Sequence, residues 1–198
     1  MIFNLVAGYF IETLAVLLAI TYLVLAVYKD IRCWLAWIAS SFLYLYVMYA
    51  ANLYMEACLQ IFYIAMGFYG WSQWSKESQK NSTFVIKTWE LKQHAIAIST
   101  VILLAFVSGW ALDTYTNAAL PFIDALTTWG AIVATYMVAQ KLLENWIYWF
   151  VIDAISVVLF YSRELYLTSF LFFVYLFIIY FGYKSWVRTI EGMNDQRK

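Results

Sequence analysis

The chain has one proline, one histidine and two cysteines in 198 residues, and only 12% of its residues are charged. Each scarcity closes a class of function. His94 has no second His and no Cys at ligand spacing, so no zinc-type metal set is available. Cys33 and Cys58 lack CxxC spacing and fall in apolar runs, and they read as small buried hydrophobes. No GxSxG, HExxH or GxxxxGK[ST] pattern occurs, which removes the usual hydrolase, metalloprotease and nucleotide-motor readings. Lys and Arg number 12, as do Asp and Glu, and the net charge of zero leaves no footprint for nucleic acid. The expectation is a non-enzyme that needs no cofactor and no metal. Pro121, the one proline, stands where the first turn of a helix tolerates it, so no proline kinks the apolar runs.

What is present is apolar surface: 65% of residues are hydrophobic and 21% aromatic. That composition belongs to a chain whose solvent is lipid. Seven runs, 11–28, 33–51, 54–74, 95–112, 118–140, 146–161 and 165–183, approach or exceed the roughly 17 to 25 residues that cross a hydrocarbon core. They are continuously apolar instead of alternating, which favours helices over barrel strands. The N-terminus lacks a basic region and a small-residue cleavage site, so the first run is expected to stay as a span.

Residues 29–74 recur as 141–186 at a constant offset of 112. Lys29 falls on Lys141, Trp34 on Trp146, Trp37 on Trp149, Tyr63 on Tyr175, Gly70 on Gly182 and Trp74 on Trp186. Extended upstream, the offset sets Glu12 on Asp124. Internal duplication of this kind marks transporter folds. Three helices per copy with one between them make the repeats parallel, so the expected fold is an all-α membrane protein with seven transmembrane helices in a 3+1+3 parallel-repeat arrangement. The segments are a first repeat at 1–74, a hydrophilic linker at 75–94, a connecting fourth helix at 95–117, a second repeat at 118–186 and a tail at 187–198. In this topology Lys29, Arg32, Lys76, Lys80, Lys87, Lys92, Lys141, Lys184, Arg188, Arg197 and Lys198 share one side of the membrane, against Arg163 alone on the other. Cytoplasmic loops collect Lys and Arg, so the linker and C-terminus are expected inside and the N-terminus outside.

Polar residues inside the spans point to the site. Asp153 lies eight positions into the sixth run, about 12 Å along a helix and near the middle of a core about 30 Å thick. A carboxylate there costs at least about 2.5 to 3.5 kcal/mol and should face a cavity or a partner. Helical spacing places Asn145, Trp149, Asp153 and Ser156 on one face, and the matching face of the second helix carries Cys33, Trp37, Ser41 and Tyr44. The first repeat thus has the hydroxyl of Ser41 where the second has an acid. A carboxylate beside a flat aromatic suits a flat cationic ligand. Gln60, three residues before Tyr63, can donate to and accept from a heterocycle or a sugar hydroxyl. The structural alternatives are packing for Asp153 and Gln60 and an interfacial place for Trp149. Trp34, Trp71, Trp74 and Trp186, together with Trp146, are expected in an interfacial tryptophan belt. His94 reads as interfacial, and Glu56 and Glu144 as peripheral.

At these residues the chain resembles a known family. Leu59-Gln60-x-x-Tyr63 running into Tyr69-Gly70-Trp71-x-x-Trp74, with Glu144-Asn145-Trp146-x-x-Trp149 and Asp153-x-x-Ser156, is similar to the PnuC family of bacterial vitamin transporters, over nearly the whole chain. The resemblance implies a fold like that of SWEET sugar transporters and a multi-pass protein of the bacterial inner membrane. It further implies facilitated diffusion of nicotinamide riboside or, in the PnuT branch, thiamine, with a cytoplasmic vitamin kinase trapping the substrate. The nicotinamide riboside branch tends to carry Asn where this chain has Asp153, which sets thiamine slightly ahead. The implied partners are a small cationic vitamin, the lipid bilayer and that kinase, and a homo-oligomer is compatible with all of this. The readings from other classes are an intramembrane enzyme and a structural membrane protein.

Overall fold

The computed structural model describes residues 2–50, 54–78, 85–115, 120–162 and 166–195. Arg163 lies outside the described residues, as do the side chains of Glu12, Glu56 and Cys58. Seven helices occur among the described residues: α1 (Ile2–Val27), α2 (Cys33–Ala50), α3 (Tyr54–Ser78), α4 (Leu91–Tyr115), α5 (Pro121–Ala139), α6 (Asn145–Ser162) and α7 (Tyr166–Asp195). The ends of α1 and α5, both ends of α2 and α6, and the starts of α3 and α7 differ by the same 112 positions as the sequence repeat.

The local reason is a shared helix stop. Lys29 and Lys141 both take the left-handed backbone conformation, each with φ 59°. In the first copy the Lys29 N–H donates to the Ala26 carbonyl at 3.0 Å and the Asp30 N–H to Leu25 at 3.0 Å. In the second, Lys141 donates to Val138 at 3.0 Å and Leu142 to Met137 at 2.9 Å. This is the Schellman pattern, with lysine where glycine is usual; it satisfies the last carbonyls of one helix and reverses the chain into the next.

The chain divides into two compact units, Met1–Val85 and Ile86–Lys198. In the first, α2 packs against α1 and α3; in the second, α5 packs against α4 and α6, and α6 against α7. The fourth helix, read from sequence as a connector, is joined to α5 by the Trp129 indole N–H, which donates to Ser108 Oγ at 2.9 Å. Several helix limits differ from the hydropathy reading, among them the start of α1 at Ile2 instead of 11. The fourth helix begins at Leu91 instead of 95, and α7 runs on to Asp195 through most of the expected tail. In both cases the extra turns are polar, and hydropathy marks where lipid ends, not where backbone hydrogen bonding ends. Helices α4 and α5, and Ser169–Gly192 within α7, are long and apolar enough to cross a membrane; Thr13–Val27, Cys33–Val47 and Asn145–Leu159 are shorter apolar stretches.

The tryptophan belt is overturned for four of its members. Trp34 and Trp186 are fully buried, and Trp74 and Trp146 are 2% exposed. They form equivalent edge-to-face pairs, Trp34–Trp74 at 5.6 Å and 89° and Trp146–Trp186 at 5.5 Å and 85°. Gly70 and Gly182 create the room, since a Cβ at either would overlap the ring carbons of Trp34 or Trp146. The indoles therefore pack across helices instead of facing headgroups. Trp71 is half-buried.

Candidate functional site

In the second unit, α6 brings the expected residues onto one stripe. Asn145 is fully buried, Asp153 is 3% exposed and Ser156 is 5% exposed, while Trp149 is half-buried. Asn145 Nδ2 donates to the Leu142 carbonyl at 2.5 Å, which ties the first turn of α6 to the reversal before it. Its Oδ1 is buried without a hydrogen-bond partner among the described residues. No donor or cation among the described residues reaches the Asp153 carboxylate, and Trp149 has no hydrogen bond or ring contact there. A buried acid with no partner among the described residues, one helical turn from an indole with no hydrogen bond or ring contact among them, is a pair that a planar cation would complete.

The first unit treats the equivalent positions differently. Trp37, the counterpart of Trp149, donates from Nε1 to the Tyr63 carbonyl at 2.8 Å. Its ring meets Tyr63 edge-on at 5.0 Å and Tyr22 at 4.4 Å. Ser41 is buried, like its counterpart Asp153, and Tyr44 and Gln60 are half-buried on α2 and α3. Trp37 and Tyr63 are thus brought into one cluster, which Tyr22 of α1 completes. Sequence reasoning missed Tyr22, and the repeat hid it, because the offset places Tyr22 on Ala134. The signal available was a lone tyrosine among aliphatic residues one turn before the end of α1.

An apolar groove of about 620 Å³ lies between α5 and α6. Its lining includes Ile123, Phe150, Ala154, Ile155 and Val158 and none of the expected site residues. It runs along another face of α6, and its chemistry suits hydrocarbon, not a charged solute.

His94 and Glu144 are more engaged than their sequence context suggests. His94 Nδ1 lies 2.9 Å from the Tyr148 hydroxyl, and Nε2 lies 3.9 Å from Glu144 Oε1. No group of three or more His, Cys, Asp and Glu side chains able to hold a metal occurs among the described residues.

A duplicated helical chain with an acid buried in an apolar helix one turn from an aromatic is what a small-solute membrane transporter would present. The chain belongs to the PnuC family: a family model described as "Nicotinamide mononucleotide transporter" matches residues 9–188. Among similar proteins are the nicotinamide riboside transporter PnuC of Escherichia coli (strain K12), 26% identical over an alignment of 168 positions covering 72% of this chain and 70% of the relative, and that of Neisseria mucosa, 28% identical with 79% of this chain and 64% of the relative covered. The riboflavin/roseoflavin transporter RibM of Streptomyces davaonensis is 25% identical over 79% of this chain and 74% of that protein. The fold matches the crystal structure of the vitamin B3 transporter PnuC with a TM-score of 0.73, at 22% identity, over 96% of this chain and 86% of that one.

Proposed function

We propose that the chain carries a cationic, aromatic, water-soluble vitamin across the bacterial inner membrane by facilitated diffusion, and that a cytoplasmic kinase traps it by phosphorylation. The observation behind this reading is the buried Asp153, without a partner among the described residues, one turn from Trp149, which has no hydrogen bond or ring contact among them. In a low-dielectric setting a carboxylate attracts a fixed cation far more strongly than in water, and an indole adds dispersion and its quadrupole. Nicotinamide riboside leads as the substrate, because that compound names two of the relatives. The sequence alone sets thiamine slightly ahead; the relatives reverse the order, and thiamine stays second on the strength of the acid at position 153. Riboflavin, which names another relative, has no fixed ring cation and would gain nothing from that acid.

In this reading seven spans form a 3+1+3 parallel repeat with the N-terminus outside and the C-terminus in the cytoplasm, as the distribution of Lys and Arg supports. Asn145, Trp149, Asp153 and Ser156 form the acidic set of contacts, and Trp37, Ser41, Tyr44, Gln60 and Tyr63 a neutral one. With no nucleotide motif, the substrate's own gradient drives entry.

Binding of nicotinamide riboside, thiamine, riboflavin and glucose to the purified protein tests the site. Asp153→Asn should weaken both cationic vitamins by tenfold or more, about 1.4 kcal/mol, and leave riboflavin unchanged. Equal loss for charged and neutral compounds would reduce Asp153 to a packing residue. Vesicles without kinase should equilibrate the vitamin, and accumulation should require kinase and ATP inside. Uptake above equilibrium under an imposed proton or sodium gradient would overturn the mechanism.

A further inference from the structure

The segment before α4 crosses the α5–α6 reversal and bonds to it. The Lys87 N–H donates to the Lys141 carbonyl and the Leu143 N–H to the Lys87 carbonyl, both at 2.9 Å, in a single parallel bridge. Ile86 and Leu142 are buried there. Two residues on, the Trp89 N–H donates to Glu144 Oε1 at 3.2 Å. The chain then enters α4, where the Gln93 side chain accepts the Glu90 N–H at 2.9 Å as in a capping box. His94, in this first turn, meets the Tyr148 hydroxyl through Nδ1 and stacks on its ring at 5.8 Å and 28°, while Trp89 abuts the imidazole at 5.5 Å.

Glu144 immediately precedes α6 and Tyr148 lies four residues on, in its first turn, and Asn145 and Trp149 each follow one residue later. One residue is about 100° of helix rotation, so the strap grips the stripe beside the one that bears Asn145, Trp149, Asp153 and Ser156. Two hydrogen bonds on adjacent turns from a fixed neighbour restrain rotation about the helix axis, which a single bond would not. The first repeat lacks both side chains at the equivalent positions: Arg32 stands for Glu144 and Ala36 for Tyr148. Arg32 is spent on its neighbour Asp30, with Nη2 at 2.5 Å from Oδ2 in an exposed pair.

We infer that Glu144, Tyr148 and His94 are positioning residues that set the rotation of α6 and so present Trp149 and Asp153 to the substrate. The inference rests on the transport reading given above. It explains why, among the described residues, the second copy bears the strap: it is the copy with the acid, whose ligand depends on the angle at which acid and indole are offered.

The test uses the full chain and the variants E144A, E144Q, Y148F and H94A, with amide hydrogen exchange, thermal unfolding and equilibrium binding of nicotinamide riboside and thiamine. Glu144→Gln keeps an acceptor for the Trp89 N–H and should bind like the parent. Glu144→Ala should speed exchange at the Leu143 amide and the first two turns of α6 and weaken cationic vitamins about tenfold, the scale of one lost buried hydrogen bond. The double variant E144A/H94A should lose less than the two single losses combined, since both act on one clasp. Faster exchange or a lower melting point with unchanged affinity would show a structural residue and overturn the inference. Unchanged exchange in both E144A and Y148F would overturn it directly. If the parent binds none of the vitamins, the transport reading falls by itself, and exchange across α6 still decides whether the clasp restrains that helix.

Discussion

The two copies of the repeat agree in backbone and in their buried tryptophan pairs, and they part at the next turn of the second helix. In the first copy Trp37 is held by a hydrogen bond to the Tyr63 carbonyl and by the rings of Tyr22 and Tyr63. In the second, Trp149 has no such contact among the described residues, and an acid lies one turn beyond it where the first copy has Ser41. What is shared maintains the fold, because it concerns chain reversal and close helix packing. What differs concerns which polar and aromatic groups stay available. Duplication supplied two equal scaffolds, and divergence used one aromatic for packing and left the other uncommitted.

The comparison breaks most severely at the shared pairs. Trp34→Ala and Trp146→Ala should each cost about 3 to 5 kcal/mol of stability, as large buried aromatics do on truncation. Detergent-solubilised protein monitored by thermal unfolding would show the two losses to be similar, and a large difference would mean that the two pairs do not carry equal weight. Trp186 belongs to this set and should not tolerate Leu, contrary to an interfacial role.

Next come the glycines that admit those rings. Gly70→Ala and Gly182→Ala should each destabilise by about 1 to 3 kcal/mol, because the added carbon meets a rigid indole and not the end of a flexible side chain. The melting points of the two variants check this, and a neutral result at either would mean that the helices move apart at little cost.

The divergent tryptophans give the sharper contrast. Trp149→Leu should lose about tenfold in vitamin affinity, near 1.4 kcal/mol, with the melting point kept, whereas Trp149→Phe should retain most binding. Trp37→Leu should do the reverse in stability, lowering the melting point through its lost cluster. Unchanged vitamin binding in the Trp149→Leu variant would return that residue to an interfacial role.

The smallest effect concerns the two left-handed lysines. Lys29→Gly should stabilise by about 1 kcal/mol, since glycine adopts this conformation without steric cost. Lys141→Gly should gain less, because the Lys141 side chain is buried and its packing would be lost. The difference between the melting shifts measures that packing. At the first reversal, burial also pushes the Lys29 ammonium below its ordinary range, and the Arg32 guanidinium hydrogen-bonded to Asp30 holds that carboxyl below its own. The Asp30–Arg32 pair is exposed and contributes little to stability.

Several features were legible in the residues alone. A continuous apolar run of sufficient length becomes a helix in lipid whatever its neighbours do, because the backbone must bond to itself, and a constant offset of matched residues reveals a duplication. The stripe that Asp153 shares with Asn145, Trp149 and Ser156 follows from helix geometry, and the motifs around Gln60 and Trp149 resemble the family. The rest was decided by tertiary structure. Helices that are apolar on every side do not announce which side meets lipid and which meets another helix, so Trp34, Trp74, Trp146 and Trp186 read as interfacial until glycines on the facing helices were seen to receive two of them. Tyr22 joins Trp37 across helices, and its repeat partner is alanine. Glu144 and His94 lie 50 positions apart in sequence and meet only because the strap before α4 bonds to the α5–α6 reversal. Length, hydropathy and repeat are local properties that the chain carries wherever it folds; contact between side chains from different helices exists only after packing has chosen their faces.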